Sequence, residues 1–394
     1  MFAFKRENIY NVFMKKLLPL AISSLLIIPA VGCVQPKPDT SPYFFAMAAD
    51  AAYVLPASVR NSQENDCYAL YGETRELLNA LDGSLSLTVS SSYITKFNEA
   101  EAGEKVELDA TAYEVFSLAA ELYAVTEGYY NPAVYYSVCA YGFGGASETP
   151  KTEEDLPSDE VIGKYNGLAA SFGQVVLSEE NGRYYALKPA ATVEIDGVSY
   201  SMKIDLGGLG KGYAVEKANA LMDKHGIKYG YFTFGESSIA FKNYSGEGGE
   251  YTLGLTSPRY TTGKPQYVHT QIAGECLSTS GDNVQYYEIG GVRYCHVIDP
   301  VTGKPVQTGI MSATVIGASA ARNDAYTTAI MAMGKEQAVK FINENLSAEK
   351  VFFTYDGGAG YEIITNAPEG AYTVKDDSYK VVSKVVDGKI VLVD

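Results

Sequence analysis

The stretch DLGGLGKGYAVEKA, from Asp205 to Ala218, decides how the centre of this chain folds. Three glycines, Gly207, Gly208 and Gly210, follow a strand-like segment and precede a helix-like one. Glycine adopts positive φ and allows another backbone or a ligand to approach closely. The start of a helix presents free N–H groups and the positive end of its dipole, which favour a bound phosphate. The segment therefore predicts a tight turn between a strand and a helix.

The glycine spacing matches neither the dinucleotide-binding fingerprint nor the Walker loop, because Lys211 is followed by Gly212 and not by Ser or Thr. Two interpretations of the segment stay open at this stage. One is a plain structural turn, and the other is a turn that binds an anion.

The rest of the chain alternates between helical and strand-like patterns. Helical spacing extends over 64–81 and 109–126, and Asp109 is a good N-cap for the second helix. The other predicted elements are a hairpin in 191–204 around Asp196-Gly197, a helix ending at His225-Gly226, strands in 229–243 and 250–256, a hairpin in 285–299 around Gly290-Gly291, helices at 323–333 and 335–346, and a strand-rich tail from Val351. Helices mixed with hairpins favour the α+β class over a doubly wound parallel sheet.

Residues 1–33 have the pattern of an export signal. Lys15 and Lys16 precede an apolar run that is short and broken by proline, which suits a signal peptide better than a membrane span. The sequence AVGC, ending at Cys33, resembles a bacterial lipoprotein box, in which the cysteine is lipidated. An ordinary cleaved signal peptide is the alternative.

The proline-rich segment 34–42 predicts a tether, and 43–394 predicts the folded domain. We therefore expect an extracytoplasmic protein held at the bacterial cell membrane by a lipid anchor.

The chain is acidic, with a net charge of −16, and removal of the segment before Cys33 takes it to about −19. This charge argues against a nucleic-acid partner and against electrostatic binding to acidic lipid. It also means that an anionic ligand needs a local positive site or a metal ion. The four cysteines after Cys33 are scattered without a CxxC pair, which argues against a zinc site.

Segment 321–334, ARNDAYTTAIMAMG, carries a candidate metal site. Asp324 and Thr328 are four positions apart, so they share one face of the first turn of the predicted helix. A carboxylate and a hydroxyl are hard oxygen ligands of the kind that Mg²⁺ prefers. The alternative is a helix-start aspartate favoured by the dipole, with an incidental threonine.

Segment 295–306, CHVIDPVTGKPV, carries a candidate acid or base and is preceded by STSGDN at 278–283. His296 ends a predicted strand just before the turn residues Asp299-Pro300. A histidine there can exchange a proton or bind phosphate. A structural histidine with satisfied hydrogen bonds is the alternative.

Taken in chain order, the segments 205–218, 278–306 and 321–334 resemble the FAD:protein FMN transferase family, also called ApbE-like. The family pattern is close to DLGGIAKGYAVD, then TSGDY and HIIDPxTG, then ADALATALFVMG. Weaker matches lie upstream, where SYITKFN (92–98) is similar to SEISRFN and 126–144 is similar to a segment ending in WGFG. The similarity spans roughly 43–356. It implies an α+β fold that is ApbE-like and T-fold-like, with mixed antiparallel sheets and packed helices.

The resemblance also implies a reaction. FAD would bind as substrate, Mg²⁺ would polarise its pyrophosphate, and FMN would pass to a Thr or Ser hydroxyl of an exported or membrane redox protein, with release of AMP. The implied Mg²⁺ ligands are Asp324, Thr328, the carbonyl of Gly210 and, as in some members, Thr327. The implied flavin-nucleotide residues are Met47, Tyr130, Asn131, Gly207, Lys211, Tyr213 and Ile298. His296 is the implied group that positions the phosphoryl group or accepts a proton, and Asp324 is the second catalytic candidate.

The chain departs from the family pattern at several positions. The family's MGT segment is Met47-Ala48-Ala49 here, its Phe-Asp pair is Tyr130-Asn131, and the tryptophan of WGFG is Tyr141. The position of an aromatic residue before SEISRFN is Thr88. Two further functions therefore stay open, namely a Mg²⁺-dependent FAD pyrophosphatase, in which water replaces the acceptor hydroxyl, and a flavin-binding lipoprotein without catalysis.

Overall fold

The computed structural model describes residues 41–144, 148–235, 237–244, 249–259 and 265–393. The predicted signal peptide, its Cys33 and most of the predicted tether lie outside the described residues. No helix within the described ranges is both long and apolar enough to cross a membrane.

The described residues form α-helices of 6 to 22 residues. They are α1 (Ala57–Ser62), α2 (Glu64–Leu85), α3 (Tyr93–Glu99), α4 (Ala110–Val125), α5 (Tyr135–Ala140), α6 (Asp159–Ala169), α7 (Gly210–Lys224), α8 (Ala320–Met333) and α9 (Lys335–Asn345). Short 3₁₀ helices span Pro132–Val134, Glu153–Asp155 and Ala170–Gln174.

The strands are short and follow the chain in this order: β1 (Tyr43–Ala46), β2 (Ala49–Val54), β3 (Lys105–Leu108), β4 (Val176–Glu180), β5 (Arg183–Leu187), β6 (Thr192–Ile195), β7 (Val198–Ser201), β8 (Tyr231–Phe234), β9 (Ser238–Phe241), β10 (Tyr251–Thr256), β11 (Gln266–Ile272), β12 (Cys276–Gly281), β13 (Tyr286–Ile289), β14 (Val292–Cys295), β15 (Ile298–Asp299), β16 (Lys304–Pro305), β17 (Ile310–Gly317), β18 (Lys350–Asp356), β19 (Tyr361–Thr365), β20 (Tyr372–Val374), β21 (Tyr379–Val381), β22 (Ser383–Val386) and β23 (Lys389–Leu392).

A nine-stranded sheet runs through the domain in the order β1-β2-β8-β9-β12-β17-β18-β19-β21. Its pairs are antiparallel except for β19 and β21, which are parallel. Two three-stranded sheets have the orders β3-β5-β4 and β10-β11-β20, and four two-stranded pairs complete the set. The α+β class with mixed antiparallel sheets and packed helices is confirmed.

The central strand β17 is covered on both faces of the large sheet. All eight of its residues are buried. Ala313 and Val315 pack into the cluster that contains the apolar residues of α2, α7 and α8. On the opposite face, Ile316 packs with Val268 of the small sheet β10-β11-β20. A strand covered on both faces lacks the polar alternation of a surface strand.

Most of the predicted elements are confirmed, with shifted ends. The side chain of Asp109 accepts a hydrogen bond from the Ala112 amide at 2.6 Å and so caps α4 as predicted. Asp196-Gly197 and Gly290-Gly291 form the predicted hairpin turns. The strand-like segment 229–243 is an antiparallel pair, β8 and β9.

The turn between β1 and β2 contains strained backbone. Met47 and Ala48 have φ values of 48° and 58°, in the left-handed region that costs a non-glycine residue about 1 kcal/mol. We expect Ala48→Gly to raise the free energy of unfolding by about 0.5–1 kcal/mol, measured by urea denaturation. The control is Ala49→Gly, at the first residue of β2. This variant should lower the free energy of unfolding by a similar amount. Equal effects of the two variants would show that the turn is not strained.

Candidate active site

The glycine turn lies against helix α8. Helix α7 begins at Gly210, so Lys211 lies inside its first turn. A Cβ on Gly212 would overlap the carbonyl oxygen of Ala320 and would come within 2.8 Å of the Cβ of Asp324. Glycine is therefore required at 212 by the close approach of the two helices.

The carboxylate of Asp324 joins the two helices. Its Oδ2 accepts a hydrogen bond of 3.0 Å from the backbone amide of Gly212, so the protein itself supplies an anion to the start of α7. Helix α8 begins at Ala320 after the N-cap Ser319, which places Asp324 in the second turn. The prediction of a first-turn aspartate is wrong by one turn because Ser319, and not a later residue, caps the helix.

The two threonines of α8 both lie next to Asp324 but face different neighbours. Thr327 and Thr328 donate their hydroxyl hydrogens to the main-chain oxygen of Asp324, at 2.8 and 3.1 Å. Thr327 is fully buried and accepts a second bond from Ser280 of β12. The hydroxyl of Thr328 lies beside Gly208, within 3.0 Å of where a Cβ would be. Thr328 therefore faces the glycine turn, whereas Thr327 faces the sheet.

A second carboxyl group, that of half-buried Asp205, lies in the same region. Its Oδ1 accepts a bond of 2.7 Å from the Gly207 amide. Burial raises the pKa of both Asp205 and Asp324, and the positive charge of Lys211 opposes that rise for each. Asp205 is the first residue of the glycine-rich motif, but the motif predicted no role for it. The signal was an aspartate between the apolar residues Ile204 and Leu206, which are both buried.

The hydroxyl of Tyr130 is buried beside these carboxyl groups. The side chain is 2% exposed, and its oxygen has no hydrogen-bond partner among the described residues. Burial raises the pKa of Tyr130, and the charges of Asp324 and Asp205 raise it further. A buried hydroxyl without a partner costs about 1–3 kcal/mol, so its persistence here suggests that it serves a ligand.

We expect Tyr130→Phe to raise the free energy of unfolding of the ligand-free protein by about 1 kcal/mol, because the variant removes an unpartnered buried hydroxyl. The matched control is Tyr53→Phe, since the Tyr53 hydroxyl bonds Thr74 at 2.8 Å and the Ala218 carbonyl at 3.1 Å. The free energy of unfolding of the Tyr53→Phe variant, measured by urea denaturation, should fall by about 1–2 kcal/mol. Loss of stability in both variants would mean that the Tyr130 hydroxyl has a partner.

His296 lies between β14 and β15 and faces the same site. Its Nδ1 is 3.4 Å from the carbonyl of Gln285, and its ring meets that of Phe143 edge-on. Burial lowers the pKa of His296 to about 4, and the nearby charge of Lys211 lowers it as well. The imidazole is therefore neutral at pH 7 and can accept a proton.

Of the other predicted residues, Met47 and Gly207 lie at the glycine turn. A Cβ on Gly210 would come within 2.9 Å of the Met47 Cε, and the Gly207 carbonyl accepts a bond of 3.3 Å from Lys211. The turn thus brings together Met47, Gly207, Gly208, Gly210, Lys211, Asp324 and Thr328.

Three predicted flavin residues are engaged in protein packing. The side chain of Asn131 donates to the Ala169 carbonyl and accepts from the Ala133 amide. Tyr213 donates to Glu114 of α4 at 2.8 Å, which directs its ring toward that helix. Ile298 is buried in an apolar cluster with Tyr141 and Ile162. The family motif marked these positions, but their described contacts are structural.

The donor set fits a divalent cation. The carboxyl groups of Asp205 and Asp324 both lie near the single positive charge of Lys211, and a divalent cation would compensate the charge of their ionised forms. Thr328 and Tyr130 add hard oxygen atoms of the kind that Mg²⁺ prefers. Within the described ranges no group of three or more His, Cys, Asp or Glu side chains forms a metal site, so hydroxyl and carbonyl oxygens have to complete the ligand shell.

Comparison with known proteins identifies the family. The sequence model of the ApbE family matches residues 54–353. The chain belongs to the ApbE family. It is 26% identical to the FAD:protein FMN transferase of Klebsiella pneumoniae (strain 342) over 84% of this chain and 90% of that protein. It is 25% identical to the enzyme of the same name from Vibrio cholerae over 83% of this chain and 90% of that protein.

Solved structures of the ApbE family have the same fold. The flavin transferase ApbE from Vibrio cholerae superposes with a TM-score of 0.65 at 22% identity, covering 82% of this chain and 95% of that one. The ApbE protein from Thermotoga maritima superposes with a TM-score of 0.63 at 24% identity, covering 80% and 94%.

Proposed function

We propose that this ApbE-family flavin transferase is a Mg²⁺-dependent FAD:protein FMN transferase. It moves FMN from FAD to a Thr or Ser hydroxyl of an exported or membrane redox protein and releases AMP. The observation that carries the proposal is the bond between Gly212 and Asp324, which holds the Asp324–Thr328 face of α8 against the glycine turn. The names of the relatives, aligned over most of their length, support the same reaction.

The reaction breaks the phosphoanhydride bond of FAD and forms a phosphate ester with the acceptor hydroxyl. The acceptor oxygen forms a bond to the FMN phosphorus, the bond from that phosphorus to the bridging oxygen of the pyrophosphate breaks, and AMP leaves with the bonding electrons. Mg²⁺, when bound, neutralises charge on the pyrophosphate oxygens. Asp324, Thr328 and the carbonyl of Gly210 would hold it.

The side chains of this chain supply the remaining requirements. Neutral His296 accepts the proton of the acceptor hydroxyl, which makes that oxygen a better nucleophile. Lys211, in the first turn of α7, supplies a fixed positive charge for the phosphates. Buried Thr327, bonded to Ser280, holds α8 against β12, so the Asp324 face keeps its position.

The same site allows two other outcomes. Water in place of the acceptor would make the protein a FAD pyrophosphatase that releases free FMN. A flavin carrier would leave FAD intact. The pair of carboxyl groups, Asp205 and Asp324, favours an enzyme, because a carrier does not need a cation site next to the pyrophosphate.

The test is chromatography of FAD incubated with the domain, with and without Mg²⁺, and with a purified exported redox domain that contains candidate Thr acceptors. We expect AMP release that requires Mg²⁺, together with covalent flavin fluorescence on the acceptor. AMP with free FMN at the same rate, with and without several acceptors, would establish the pyrophosphatase. Intact bound FAD in every sample would establish the carrier.

The predicted lipoprotein box supports an extracytoplasmic location at the cell membrane. We propose that Cys33 carries the lipid and that 34–42 is the tether. Mass determination of the membrane-extracted protein tests this, since a diacylglyceryl group adds a defined mass to the N-terminal peptide. An unmodified N-terminus would contradict the proposal.

A further inference from the structure

An apolar patch lies on the first strands of the domain. Tyr43 and Phe45 of β1 are 71% and 74% exposed, and Val54 of β2 is 43% exposed. Alternate residues of a strand share a face, and Tyr43 pairs directly with Ala52, two positions before Val54. The three side chains therefore lie on one face of the sheet. Large apolar side chains grouped on a surface mark an interaction site.

The patch lies where the large sheet has no covering layer. Strand β1 is an edge strand of this sheet. Further along the same sheet, Ile239 of β9 and Phe352 of β18 pack into the cluster formed with the small sheet β10-β11-β20. Among the described residues, no element covers Tyr43 and Phe45 in this way.

The chain outside the described residues indicates what covers this face. Cys33 precedes Tyr43 by ten positions, and an extended chain of ten residues reaches at most about 35 Å. A lipid on Cys33 would therefore hold β1 within that distance of the bilayer. Val54 lies opposite the residues that lead into β1, because Tyr43 pairs with Ala52. The patch is therefore next to the point at which the tether joins the domain.

We propose that the face formed by Tyr43, Phe45 and Val54 rests on the lipid bilayer into which Cys33 is anchored. This inference rests on the proposed lipidation. Aromatic side chains are favoured at the membrane–water interface, and a second membrane contact stabilises the binding of a lipid-anchored domain. Exposed Asp50 pairs directly with Phe45 on the same face, so the contact combines apolar side chains with one carboxylate and gains nothing from acidic lipid.

The contact would place the active site across the large sheet from the membrane, because α7 and α8 pack on the face opposite the patch. Met47 follows Tyr43 by four residues, which is about 14 Å along a strand. Its side chain lies against Gly210 at the glycine turn. The glycine turn therefore lies at the end of the β1–β2 hairpin, on the side of the sheet that faces away from the proposed bilayer contact.

The absence of tryptophan from the chain permits a direct test. Phe45→Trp gives the lipidated full-length protein a single tryptophan in the patch. Val386→Trp is the control, because Val386 is also exposed and lies in the hairpin that follows the opposite edge strand β21. Each protein is reconstituted in phosphatidylcholine vesicles whose acyl chains carry bromine, which quenches tryptophan fluorescence on contact.

We expect the Phe45→Trp protein to lose roughly half of its tryptophan fluorescence, at low and high salt alike, and the Val386→Trp protein to lose little. Equal quenching of the two proteins, or none in either, would overturn the proposal, as would an unmodified Cys33. A change at Phe45→Trp on adding an acceptor protein, without bromine quenching, would show that the patch is a protein interface and would also overturn it. AMP release from FAD, measured in the same samples, reports separately on the proposed function.

Discussion

Replacement of Asp324 by Asn should reduce Mg²⁺-dependent FAD cleavage by about 10³-fold or more while the protein stays folded. The loss corresponds to about 4 kcal/mol of transition-state stabilisation, the range expected when a cation loses its charged ligand. Asparagine has nearly the same shape as aspartate, so its side-chain oxygen can still accept the hydrogen bond from the Gly212 amide. The close packing of α7 on α8 should therefore persist.

The stability of the Asp324→Asn variant separates a chemical effect from a folding defect. The carboxyl group is 4% exposed, and burial raises its pKa, so removal of its charge should leave the melting temperature unchanged or raise it. The increase in melting temperature that Mg²⁺ and FAD give the wild type should disappear.

The matched control is Asp223→Asn, an exposed residue of α7 that pairs with Lys242 at 2.6 Å. This variant should retain activity and change stability by less than about 0.5 kcal/mol. Full Mg²⁺-dependent cleavage by the Asp324→Asn variant would refute the assignment of this residue to the metal site.

Local signals in the sequence were sufficient for much of the fold. The glycine turn followed by a helix, the N-cap Asp109 and the hairpin turn Asp196-Gly197 each act over a few residues, so the structure has them where they were predicted. The start of α8 was missed by three residues. The apolar pattern of that helix is weak, because 12 of its 14 residues are buried on all sides.

The candidate site depends on contacts that no local pattern contains. Asp324 and Gly212 are 112 positions apart, and only the packing of two helices makes them hydrogen-bond partners. The family motif predicted Asp324, Thr328 and Lys211, which the structure brings together at the glycine turn, and it also predicted Tyr213, which points elsewhere. The adjacent Gly212 faces α8, whereas the ring of Tyr213 points to Glu114 of α4, since successive helical residues are about 100° apart.

Replacement of Lys211 by Met should lower kcat/KM for FAD cleavage by about 10²-fold, chiefly through a higher KM. Lys211 acts on three groups of the site: its charge opposes the raised pKa of Asp205 and of Asp324, and it lowers that of His296. Methionine keeps most of the length and the apolar character of the stem and removes the charge. A loss of about 10²-fold corresponds to roughly 2.7 kcal/mol, which is appropriate for one cation that faces a pyrophosphate in a buried site.

The same variant has a spectroscopic consequence at a second residue. Burial is the larger cause of the low pKa of His296, and Lys211 is the second. In Lys211→Met the pKa of His296 should rise above about 4 but stay below the ordinary value of 6.5, because the burial persists. Titration of the imidazole by NMR measures this shift. The acid limb of the activity profile should move to higher pH by the same amount, since a protonated His296 cannot accept the proton of the acceptor.

Lys217→Met is the control, because Lys217 lies in the same helix and pairs with exposed Glu114 at 2.7 Å. It removes an equal charge, so a general change in the net charge of the protein would appear in both variants. If His296 titrates identically in Lys211→Met and the wild type, Lys211 does not face the imidazole, and the charge that prepares the site for phosphate has to come from elsewhere. If the pKa of His296 shifts but KM does not change, Lys211 adjusts the basicity of His296 and does not bind the nucleotide.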